Sequence, residues 1–101
     1  MLFVERSFNS YSLSFDNIRK FNVHNAKQVE SELMEYVTKP SVDVTLNLNG
    51  IAFIDSSAFE CLLNVLRKAK LNNTGFQLGN VSNEAMELIR VMDLDKVFSF
   101  S

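Results

Sequence analysis

The side chains best placed to do chemistry in this chain stand together at Asp55-Ser56-Ser57, a carboxylate followed by two hydroxyls. The apolar run Ile51-Ala52-Phe53-Ile54 precedes them and a helical pattern follows, so they fall where a strand becomes a helix. In parallel sheets the carboxyl ends of strands are where ligands and partners meet the fold. Hydroxyls at a helix start also satisfy orphan amides. Ser57 followed by Glu60 has the spacing of a capping box, with Ser57 as the cap.

Other reactive side chains are scarce. The single histidine, His24, sits near a helix start without partners for a triad or a metal site. Cys61 lies in the apolar helical context Ala58-Phe59-Glu60-Cys61-Leu62-Leu63 and reads as a buried structural thiol rather than a nucleophile. CxxC, HExxH, GxGxxG and GxxxxGK are all absent from the sequence. The expectation is therefore a protein that is not an enzyme, with no metal and no cofactor.

The elements that must position the Asp55-Ser57 junction belong to a chain of 101 residues, read as one domain over 1–101. Hydrophobic residues at 47% and charged residues at 22% are globular proportions and exclude whole-chain disorder. Lys plus Arg number 10 against 12 Asp plus Glu, so a net charge of -2 leaves no footprint for direct nucleic-acid binding. One cysteine allows no intramolecular disulfide. Met1-Leu2-Phe3-Val4-Glu5-Arg6 lacks the pattern of a signal peptide, and no apolar stretch approaches the roughly 18–20 residues that span a bilayer. A cytoplasmic protein without membrane insertion is expected.

Residues 2–8, a turn at Asn9-Ser10 and the alternating Tyr11-Ser12-Leu13-Ser14-Phe15 predict an antiparallel hairpin. A short strand is open for 18–21. Ala26, Val29, Leu33, Tyr36 and Val37 share one helical face, and Asp43 to Leu48 alternates as a strand. From the junction a helix runs to about Leu71, with Ala58, Leu62, Val65, Leu66 and Ala69 on one face. Phe76-Gln77-Leu78 is a short strand. Ser82 caps a third helix with Ala85, Leu88, Ile89 and Met92 inward, and a last strand is open for 97–100. The order ββαβαβα predicts an α/β domain whose mixed, mostly parallel sheet packs against helices. The expected core is Val29, Leu33, Leu46, Leu48, Phe53, Leu62, Leu66, Leu78, Leu88 and Ile89.

Asn47-Leu48-Asn49-Gly50-Ile51-Ala52-Phe53-Ile54-Asp55-Ser56-Ser57 resembles the signature of STAS domains, the fold of bacterial anti-sigma-factor antagonists. Lys20 to Ala26 matches the lead-in to the family's first helix, and Met92-Asp93-Leu94-Asp95-Lys96-Val97-Phe98 its closing segment. The resemblance implies a partner switch. A serine kinase that is itself the anti-sigma factor would phosphorylate Ser57, the second serine of the motif, and a phosphatase would reset it. Asp55 matches the motif Asp and Ser56 its first hydroxyl. Ala58 stands where the family has Gly, putting a methyl where a kinase would pack, and Asn22 where it often has Asp. A helix N-terminus, with about half a positive charge, tolerates the charge of about -1.5 to -2 that a phosphoserine adds.

Ala58, Phe59 and Leu63 lie beside the switch and are the expected partner interface, with core as the competing reading for Phe59 and Leu63. The alternative function is a STAS subunit that is not phosphorylated and serves a larger complex for lipid transport or signalling. The junction would then be a cap only.

Overall fold

The computed structural model describes residues 2–101. Strand β1 (Leu2–Ser7) turns back through Asn9, whose left-handed φ of 57° suits an asparagine, into β2 (Ser10–Phe15). Strand β3 (Lys20–Phe21) leads to helix α1 (Ala26–Val37) and strand β4 (Asp43–Asn47). Strand β5 (Phe53–Ile54) leads to helix α2 (Ser56–Leu71) and strand β6 (Gly75–Gly79). Helix α3 (Asn83–Val91) and strand β7 (Ser99–Phe100) complete the chain.

The main sheet has the order β1-β2-β4-β6-β7, antiparallel between β1 and β2 and parallel thereafter. The hairpin thus forms the mixed edge that the alternation implies. In register, Tyr11, Val44 and Phe76 line up across three strands, as do Leu13, Leu46 and Leu78. Apart from Tyr11, which is half-buried against it, these rows belong to the buried core with Val29, Leu33 and Val37 of α1 and Leu62, Val65 and Ala69 of α2. The residues between them, Ser12, Thr45 and Gln77, form the opposite polar face, where the Gln77 amide donates to Thr45 Oγ1 at 2.8 Å. One face of the sheet is therefore dry and the other wet, as period-2 alternation demands.

Seven of the ten expected core residues are fully buried: Val29, Leu33, Leu46, Leu48, Leu62, Leu78 and Ile89. Leu66 and Leu88 are half-buried against the core. Phe53 is a correction, being 45% exposed. A two-residue strand offers one inward position, and Ile54 takes it, so Phe53 faces out beside its register partner Lys20. Met92 is also exposed, because α3 stops at Val91 and Met92 only caps it. Gly50 permits the approach to β5, since its φ of 86° is one that side chains resist.

Candidate functional site

Two short strands build the site. β3 and β5 form a separate parallel pair, Lys20 opposite Phe53 and Phe21 opposite Ile54. The amide of Asp55 extends the ladder by donating to the Phe21 carbonyl at 3.2 Å. Each strand then delivers a helix. β3 reaches α1 through residues 22–25, and β5 reaches α2 through Asp55 alone. Parallel pairing thus sets the starts of two helices side by side at the carboxyl ends of their strands.

The 22–25 turn is held by its own asparagines. Asn22 N donates to Asn25 Oδ1 at 2.9 Å, His24 N donates to Asn22 Oδ1 at 3.0 Å, and Asn25 Nδ2 donates to the Lys20 carbonyl at 2.8 Å. Asn22 therefore performs with an amide oxygen the accepting role open to an aspartate there. His24 is an exposed turn residue.

Asp55 joins the two helix starts. Its extended backbone places it as the N-cap of α2, and Oδ1 accepts from Ala58 N at 2.9 Å. Its second oxygen accepts from Val23 N at 2.9 Å, 32 residues away. One carboxylate thus satisfies an orphan amide of α2 and fixes the turn that launches α1.

This geometry corrects the capping-box expectation. The cap is Asp55, and Ser56 and Ser57 are already the first and second residues of α2. Among the described residues neither serine hydroxyl has a hydrogen-bond partner. Ser56 is exposed and Ser57 half-buried.

Ser57 opens onto a groove of about 300 Å³ between α1 and α2. Val23, Lys27 and Glu30 form one wall, and Ser57, Glu60 and Asn64 the other. Asn64 Nδ2 donates to Glu30 Oε1 at 3.5 Å across it, and Arg67 donates to Asn64 Oδ1 at 2.9 Å. Cys61 lies in the groove lining but is buried. Burial first, and the Glu30 carboxylate second, push its thiol up from 9.0 to about 12. It is therefore a neutral packing group and not a nucleophile. Among the described residues no group of three or more His, Cys, Asp or Glu could hold a metal ion.

The expected interface is partly corrected as well. Ala58 is fully buried and Phe59 is 4% exposed, so both are core side chains, while Leu63 is half-buried against the core. The helix phase turns 58, 62, 65 and 69 inward, and Phe59 falls on the edge of that stripe which the core also covers. The Ala58 methyl consequently presents no obstacle on the surface. Val23, which lines the groove with Ser57, is 60% exposed, and Phe53, three residues before Ser56 in the chain, is open as well. Missing them follows from burial in such short segments being a tertiary property.

The STAS domain family model matches residues 15–101. The fold is similar to that of an anti-sigma-factor antagonist (STAS) domain protein from Planctomyces limnophilus, with a TM-score of 0.87, 22% identity and coverage of 98% of this chain and 87% of that one. An anti-sigma factor antagonist from Mycobacterium paratuberculosis aligns with a TM-score of 0.82 at 19% identity, covering 99% of this chain and 83% of that one. The Bacillus cell-fate determinant SpoIIAA, solved in its phosphorylated form, aligns with a TM-score of 0.70 at 14% identity, covering 100% of this chain and 91% of that one. No helix among the described residues is long and apolar enough to cross a membrane.

Proposed function

The chain belongs to the STAS domain family, and from that premise we propose that it is a regulatory binding module of the anti-sigma-factor-antagonist kind, switched by phosphorylation of Ser57. The observation that carries this reading is the uncommitted Ser57 hydroxyl. Asp55 supplies the cap, so Ser57 is spared a structural hydrogen bond and lines an open groove. A capping serine would lose its bond on modification, whereas this one has none to lose.

The transfer is a simple exchange of bonds. Ser57 Oγ attacks the γ-phosphorus of ATP held by a partner kinase, the bond to the β-phosphate oxygen breaks, and ADP leaves. The hydroxyl proton passes to a base on the kinase. Hydrolysis by a phosphatase returns the hydroxyl and releases phosphate. The module itself only binds and is modified, in the cytoplasm where both partners work.

The modification adds about -1.5 to -2 charge beside Glu60 while leaving the core untouched. A partner seated over Ser57, Val23 and Phe53 meets that charge directly. Asp55 serves as the strut that holds these groups in place, and Ser56 as the exposed neighbour. The unmodified form binds the anti-sigma factor and the modified form releases it.

The test is to recover tagged wild type, Ser57→Ala and Ser57→Asp from the native host and quantify the bound proteins. A serine kinase of the anti-sigma type should be retained by the wild type and Ser57→Ala and depleted from Ser57→Asp, with all three chains equally folded by thermal melts. Equal retention by all three would overturn the reading.

A further inference from the structure

The groove beside Ser57 is electrostatically lopsided, and one residue stands out in it. Lys27, the second residue of α1, is exposed and makes no ion pair among the described residues. It lines the same groove as Ser57, on the opposite wall. Every other charged side chain lining that groove is acidic: Glu30 from α1 and Glu60 from α2. Asp55, beside it, already accepts from two amides, and the Cys61 thiol is neutral.

We propose that Lys27 is the counter-cation of a phosphate on Ser57, so that modification creates a charged bond across the groove and ties α1 to α2. This rests on Ser57 being the modified residue. Glu60, three positions along α2, is its neighbour on the helix surface and repels a phosphate there. Glu30 is engaged by Asn64 and adds to the same repulsion. Among the described residues Lys27 supplies the only side-chain cation lining the groove, on a flexible four-carbon stem with three donors. The switch thereby involves both helices. The phosphate changes the partner surface on α2 and recruits a lysine of α1 away from solvent.

The second ionisation of the phosphoserine reads this directly, because a nearby cation favours the dianion and lowers that pKa from its ordinary value of about 6. The experiment installs phosphoserine at position 57 during translation and follows its phosphorus-31 resonance through a pH titration. Lys27→Gln should raise the second pKa by roughly half a unit, the size expected for one charge at ion-pair distance in a water-filled groove. Glu60→Gln should lower it. Lys39→Gln, beyond the far end of α1, should leave it unchanged. No rise with Lys27→Gln, or an equal rise with Lys39→Gln, would overturn the proposal. Installation during translation needs no kinase, so a negative result here leaves Ser57 as the natural site untouched. That question is settled separately by the mass of the native protein.

Discussion

Replacing Asp55 removes two bonds with one change, and the two can be separated. In Asp55→Ala the amides of Ala58 and Val23 both lose their acceptor at 2.9 Å. Loss of an N-cap costs about 0.5–2 kcal/mol. Loss of a second hydrogen bond at an exposed turn adds about 0.5–1.5 kcal/mol. The expected destabilisation is their sum, about 1–3.5 kcal/mol, at roughly 4–8 °C of melting temperature per kcal/mol for a domain of this size. Asp55→Asn divides the sum. Its side-chain oxygen still accepts from Ala58, but its NH₂ group meets the Val23 amide, donor against donor. Only the Val23 part should be lost. Urea titration gives the stabilities, and amide hydrogen exchange identifies the bond, with Val23 exchanging faster in both variants and Ala58 only in Asp55→Ala. Equal destabilisation by the two variants, or an unchanged Val23 amide, would refute the strut.

Three further outcomes follow from the same geometry. Ser57→Ala should change stability by less than about 0.5 kcal/mol, because the hydroxyl has no partner to lose and alanine favours a helix; a loss of the size of a cap in thermal melts would contradict this. Phe59→Ala should cost about 3–5 kcal/mol and Phe53→Ala distinctly less, about 1–2 kcal/mol, since one is 4% and the other 45% exposed; denaturant titration ranks them. The Cys61 thiol, raised from 9.0 to about 12, should resist alkylation of the native protein at pH 8. The unfolded thiol ionises first, so the stability it contributes is complete below pH 9 and declines as pH rises from there toward 12, a slope that Cys61→Ala should lack.

The long periodic elements were legible because many residues vote for each. Ala58, Leu62, Val65 and Ala69 define the phase of α2 without help, and Ser82 does cap α3, accepting from Ala85 N at 3.1 Å. The junction was legible as a place but not as a division of labour. Asp, Ser and Ser are all good capping residues. Choosing Asp55 required its bond to Val23, 32 residues away, which local spacing does not contain. The same holds for β3 and β5. Two residues are too few to reveal a period, so Phe53 reads inward by hydrophobicity while Ile54 fills the inward position. The groove is a tertiary product too, since its walls come from helices separated by β4 and β5.

The most direct test of the switch is the mass of the chain purified from its native cells, followed by peptide mapping. A species heavier by one phosphoryl group should be present, with the phosphate on Ser57. It should disappear in Ser57→Ala and persist in Ser56→Ala, whose exposed hydroxyl is the nearest competitor. A chain that stays unmodified across growth, stress and stationary conditions, or a phosphate found on Ser56, would contradict the account.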